Sequence, residues 1–348
     1  MKQFFFLLSI VMLLFSCGKK EAFVPRNISK VDIETLLEDS LLSIRAIEIL
    51  NDKSLAFAAN NGVFGLFNSK TELWQRSVKK YDSLNLHFRA VSHTSTDFFM
   101  LSIDNPALLY KTGSNGKMEL VYKEQGEGVF YDSMSFWNDL EGIAVGDSVD
   151  SCLSIIITRD GGETWNKISC KNLPKAEEGE GAFAASNTNI KIVGNKTWVA
   201  TTHGNIYYSD DKGGAWEVIN TSIIQQENTE GIYSIDFYDE LNGFAIGGDY
   251  TNPEDNSANK ISTTDGGKTW RLAGQNQSPA YRSCVQYIPT RRGKELVAIG
   301  FDGIDFSNDS GETWKHLSEE GFYTIRFLND SIAYAAGGGR ISKLTFRE

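Results

Sequence analysis

The chain has 348 residues, with 34 Lys and Arg against 45 Asp and Glu and a formal net charge of −11. That acidic balance argues against a nucleic-acid partner, which would reward clustered positive charge. Hydrophobic content of 41% and charged content of 23% are ordinary for a globular protein, while 32 glycines point to turn-rich β structure. No Gly-rich phosphate loop is present, and the four histidines stand apart at 87, 93, 203 and 316 without metal-ligand spacing. No cofactor and no metal are expected.

At the N-terminus Lys2 precedes an apolar run from Phe4 to Phe15. The run is short for a membrane span and has the form of a secretory signal. It ends Leu14-Phe15-Ser16-Cys17-Gly18, which resembles a bacterial lipobox with a bulky Phe15 before the serine. The resemblance implies a signal peptide over 1–16, lipidation of the Cys17 thiol, and a lipid-anchored tether over 17–27. Two or three acyl chains would anchor the chain stably where one would not. The location expected is the cell envelope outside the cytoplasm, periplasmic or at the cell surface, with membrane contact through the lipid on Cys17.

Val31-Asp32-Ile33-Glu34-Thr35 then alternates as a half-buried strand does. A short helix capped by Ser29 is the alternative for this stretch. Beyond it the chain repeats itself. TRDGGETW (158–165), SDDKGGAW (209–216), TTDGGKTW (263–270) and SNDSGETW (307–314) share Ser/Thr, Asp, Gly, Thr/Ala and Trp at fixed spacing. The Asp can accept hydrogen bonds from its own turn, the Gly supplies positive φ, and the Trp returns a large apolar ring over the turn. Asp160, Asp211, Asp265 and Asp309, with Trp165, Trp216, Trp270 and Trp314, are read as structural. A degenerate copy, FNSKTELW, ends at Trp74, and TGSNGKME places Glu119 where the Trp would stand. The repeat is about 48 residues, with four strand-like runs in each unit.

A seventh unit begins at Tyr323 and stops after the run Gly339–Leu344, short of its fourth strand. An open ring would leave an unpaired sheet edge. Residues 28–37 are therefore expected to supply the missing strand. The fold predicted is all-β: a single seven-bladed propeller over 28–348, with four-stranded blades closed by an N-terminal strand.

The repeated turn resembles the Asp-box, or bacterial neuraminidase (BNR), repeat. With Gly142-Ile143-Ala144-Val145-Gly146 and Gly243-Phe244-Ala245-Ile246-Gly247, the chain resembles the propeller family of the photosystem II assembly and stability factor, within the sialidase-like superfamily. The resemblance implies a non-catalytic binding propeller with an arginine patch on one face.

The residue two before the central Ile or its counterpart in each first strand should ring one mouth of the channel. In order these are Arg45, Arg89, Asp132, Phe183, Tyr233, Arg282 and Tyr323. Arg forks suit carboxylate or phosphate groups, and Tyr adds planar contact area. Arg45, Arg89, Asp132, Tyr233, Arg282 and Tyr323 are thus candidates to hold a protein or anionic partner. The same arginines could instead pair with Asp132 and loop acids and only join the blades. Gly248 to Asn259, the longest loop inside a unit, should lie on the same face.

An alternative function is a sialidase-type or other glycoside hydrolase. Such an enzyme needs three arginines on a substrate carboxylate, a tyrosine nucleophile and an acid, and the ring contains those types. The Arg-Ile-Pro signature that opens sialidases is absent, and seven units exceed the six blades of that family, so no enzyme activity is expected. A monomer is expected. Facing positions about the turn near Gly161 sum to about 322, which pairs Cys152 with Cys170 in a cross-strand disulfide. Cys284, in a strand pattern, reads as a buried free thiol.

Overall fold

The computed structural model describes residues 23–103, 105–113 and 116–348. The expected signal peptide, Cys17 and the first part of the expected tether lie outside the described residues. Seven separate four-stranded antiparallel sheets follow one another along the chain. Blades 1 to 6 occupy 46–78, 88–124, 131–167, 190–220, 232–272 and 284–318. Blade 7 takes three strands from 324–347 and its outermost strand from the front of the chain. First strands of neighbouring blades touch in a closed ring around the axis. This is a seven-bladed β-propeller. Among the described residues no helix is long and apolar enough to cross a membrane.

The closing strand is Lys30–Ser43, longer than the 28–37 expected. It runs antiparallel to Gly338–Arg347, with Ile33 opposite Leu344 and Leu37 opposite Ile341. With Ile28 just ahead of it, its inward side chains complete two interblade cores: Ile28 and Val31 pack with Phe322, Leu344 and Phe346, while Leu37 and Leu42 pack with Phe57 and Tyr334. The last residues assigned to the tether are already docked. Arg26 reaches the buried Glu295 at 2.6 Å, Asn308 donates to the Arg26 carbonyl, and Arg291 donates to that of Val24.

The repeated turns explain themselves in hydrogen bonds. Asp160 accepts from the Thr158 hydroxyl at 2.8 Å and from the Thr164 N–H at 3.0 Å, and Thr158 accepts from the Gly162 N–H. The turns at Asp265 and Asp309 repeat this set, and Asp211 accepts from Gly214 and Ala215. Donors converging from Thr269 hold the Asp265 carboxyl down to about 2. The φ of about 80° at Gly162, Gly213, Gly267 and Gly311 is open to glycine at little cost. These turns and the first-to-second-strand hairpins share one face of the ring. The second-to-third-strand loops and the interblade connections share the other.

Cys152 and Cys170 are joined in a disulfide, Cα atoms 5.5 Å apart. Cys170 is not in the fourth strand, which is only Asn166–Lys167; it opens the short 3₁₀ turn Cys170–Asn172. Cys284 is a buried free thiol in the first strand of blade 6. In blade 2 it is Met118, not Glu119, that faces Thr112 as the tryptophans face their Ser or Thr, because the turn is one residue shorter.

Candidate binding face

The predicted ring lies where the first strands begin, on the connection face, but its residues have different fates. Arg45 precedes the first strand of blade 1, and its guanidinium sits 4.1 Å from the centre of the Tyr323 ring. Tyr233 is buried, donates to the Thr229 carbonyl at 2.7 Å, and stacks on Phe183 with ring centroids 3.6 Å apart. Arg282 is turned inward, where its Nε meets Asp305 at 2.7 Å with both side chains buried. That ion pair ties the lead-in to the first strand of blade 6 to its third strand, so Arg282 is a structural cation rather than an arm for a partner.

Phe183 is not in a first strand. The first strand of blade 4 is Ile190–Val193, and Ile190 opposite Val199 matches Ile235 opposite Ala245 in blade 5. Thr188 therefore holds the ring position. The connection from blade 3 to blade 4 runs from 168 to 189, and its end enters the channel as a plug. Asn187 donates to the Val91 carbonyl of blade 2 and accepts from the Met134 N–H of blade 3. Thr188 donates to Ser234 of blade 5, and Ser186 to the Ser283 carbonyl beside blade 6. Thr324 of blade 7 donates to the Ser186 carbonyl, and Arg45 and Arg89 reach the carbonyls of Ala185 and Ala184 at 3.4 and 3.5 Å. Arg326, which the sequence pattern did not single out, also points at the plug carbonyls of Ser186 and Asn187. One short segment thus bonds to all six other blades. Beneath it the channel opens as a polar chamber of about 350 Å³.

Asp132 lies beside the root of the plug, fully buried at 0% exposure. Burial and the Asp147 carboxylate push its carboxyl well above the usual range, against the opposing pull of Arg89. Neither of its oxygens has a hydrogen-bond partner, and the Asp147 carboxylate beside it favours the protonated form. Burial pushes Asp147 up to about 6, although it accepts from the Ala182 N–H at 3.1 Å. Asp132 therefore cannot meet a partner at the surface. Carboxyls raised in the folded state bind more protons than in the unfolded chain, so stability falls as pH rises from about 4 through 6. Moving one carboxyl from 3.8 to about 6 corresponds to about 3 kcal/mol. Asp132→Asn is expected to match the wild type near pH 4 and to exceed it at pH 8 in urea unfolding; equal curves at pH 8 would refute the raised carboxyl at Asp132.

Around Arg45 and Tyr323 the connection face carries an aromatic patch that sequence reasoning missed. Tyr281 stands against Tyr233 at 4.8 Å, Phe301 at 5.3 Å and Tyr250 at 6.4 Å between ring centroids. Tyr250 and Phe301 are 48% and 40% exposed. Tyr250 belongs to the loop at 248–259, which joins the second and third strands of blade 5 as expected. The buried Lys260 fastens the support beneath: its ammonium donates to Asn259 Oδ1, the Gln277 carbonyl and the Pro279 carbonyl at 2.7 to 2.8 Å. Burial pulls its pKa down to about 7. Among the described residues no group of three His, Cys, Asp or Glu side chains is placed to hold a metal ion.

No protein-family model and no curated protein matches the sequence. Solved structures do match. A structure of YCF48 bound to D1 peptide aligns with a TM-score of 0.66 at 13% identity, over 94% of this chain and 100% of the other. YCF48 from Cyanidioschyzon merolae aligns at 0.62 and 12% identity, over 92% and 99%. The RRP9 WD40 repeats align at 0.64 and 9% identity, over 93% and 100%. The likeness is one of fold. It extends over nearly the full length of the three structures, so the seven-bladed ring is matched as a whole rather than blade by blade.

Proposed function

We propose that this chain is a non-catalytic, lipid-anchored propeller that holds a protein partner on its connection face. The observation that carries the reading is the exposed patch of Tyr250 and Phe301 around Tyr281, continuous with the Arg45–Tyr323 stack. Aromatic rings with one arginine fork are the side chains that dominate binding energy at protein interfaces. The YCF48 structure with a bound peptide supports the same use of a similar scaffold. The repeated turns act as Asp-boxes that fix the blades, and Cys17 carries the lipid in the envelope. The Arg45 fork favours a partner segment with a carboxylate. Arg89 and Arg282 serve the scaffold in this reading.

The test is affinity capture with the lipidated protein, wild type against Arg45→Ala/Tyr250→Ala/Phe301→Ala, which removes two exposed rings and the half-buried Arg45 fork but no buried ion pair. A partner retained by the wild type is expected to be lost, or weakened at least about tenfold, in the variant. Identical capture by both would reject the face. A glycosidase would need three arginines converging on one substrate carboxylate. Arg282 is committed to Asp305, so no turnover of a fluorogenic sialoside is expected from the same preparations.

A further inference from the structure

Five of the seven gaps between blades are closed by a tryptophan. Trp74 seals blade 7 to blade 1, and Trp165, Trp216, Trp270 and Trp314 seal each next gap from blades 2 and 3 to blades 5 and 6. The gap between blades 6 and 7 is filled instead by Phe306, Phe322 and Phe346 with Ile28. Trp216, Trp270 and Trp314 each donate the indole N–H to the carbonyl of the turn glycine, at 3.2, 3.0 and 3.0 Å. Opposite the last four tryptophans stands a large second-strand residue of the preceding blade: Phe99, Ile143, Trp198 and Phe244.

The gap between blades 1 and 2 has lost both halves of this arrangement. Ile47 opposite Phe57 corresponds to Val91 opposite Met100 and Ile235 opposite Ala245. That register puts Ala56 where Phe99 and Phe244 stand in their blades. Met118 takes the tryptophan's place across from Thr112. Two rings are missing, and the space is an open cleft of about 960 Å³ walled by Leu50, Ala56, Phe64, Leu66, Phe98 and Met118. Gly116 at its edge keeps a φ of 74°, close to the values of the glycines that receive the indole N–H elsewhere. Asp52, Arg76, Lys79 and Asp97 form a polar rim.

We propose that this cleft is a docking seat for a tryptophan side chain presented by a partner protein. The chain itself supplies the template, since five sister gaps are filled by this one side chain. Indole matches the vacancy in two ways: it buries a large apolar area, and it carries one N–H for the glycine carbonyl. A phenylalanine would fill the walls but bring no N–H like the one the sister tryptophans donate to their turn glycines. The rim charges suit the flanking peptide backbone, and the seat lies apart from the aromatic patch around Tyr281, so either can fail without the other.

The test uses the purified full chain with N-acetyl-5-fluorotryptophanamide as probe, followed by fluorine NMR line broadening. The wild type is expected to broaden the probe signal saturably. Met118→Trp should fill the seat from within, raising the thermal unfolding midpoint and weakening the probe at least about tenfold. Leu66→Glu, which places a charge on the wall, should abolish binding in a folded protein and carries the test if the first variant packs badly. No saturable broadening by the wild type, or equal broadening by wild type and Leu66→Glu, overturns the seat. Equal affinity for the matching fluorophenylalanine amide overturns the assignment to indole.

Discussion

Deleting residues 1–43 is expected to leave a chain that no longer folds to a soluble monomer. Four inward apolar side chains are lost with the closing strand: Ile28, Val31, Leu37 and Leu42. At about 1.5–3 kcal/mol for each buried side chain, the loss is about 6–12 kcal/mol. That is comparable with the whole stability of a typical domain, about 5–15 kcal/mol. The strand Gly338–Arg347 would also be left with an unpaired edge, open to pairing with a second copy. Size-exclusion chromatography and urea unfolding check this directly. A truncated monomer with wild-type stability would mean that the ring closes without its front strand.

The plug gives the second large effect. Asn187→Ala removes the acceptor of the Met134 N–H and the donor to the Val91 carbonyl, both in buried surroundings. A buried backbone group left without a partner costs about 1–3 kcal/mol, so the pair should cost about 2–6 kcal/mol. Hydrogen exchange adds a sharper readout: the Met134 amide, in the middle of a first strand, should lose protection more than the amides of blade 5. Unfolding within about 0.5 kcal/mol of the wild type would show that the segment rests in the channel without stapling it.

The blade tally was legible because its signals are local. Asp160, Asp211, Asp265 and Asp309 bond within their own turns, and each following Trp packs within a few residues in sequence or one blade away. The closing strand could be read as well, from its alternation and from the blade that lacked a fourth strand. The face was harder. Phe183-Ala184-Ala185 reads as a strand start, yet the hydrogen bonds of this segment go to residues about 50 to 140 positions away, which no local pattern records. The length of the connection from 168 to 189 was the available signal. Arg282 looked free because its partner, Asp305, comes two strands later with opposite sequence context. Asp132 looked exposed because strand alternation does not reveal that Asp147 and the plug cover it.

The docking of Arg26 on Glu295 has a consequence for how the molecule stands. Arg291, Glu295, Asn308 and Ser331, which grip the chain around Val24 and Arg26, all belong to hairpins and turns on the side away from Tyr250 and Phe301. Whatever lies upstream of Phe23 leaves the disc from its underside. A leash from Cys17 to Phe23 spans at most about 20 Å when fully stretched. If Cys17 carries the lipid proposed above, the disc would ride close above a bilayer like a tray on a short stem, its upper surface turned outward to the aqueous space.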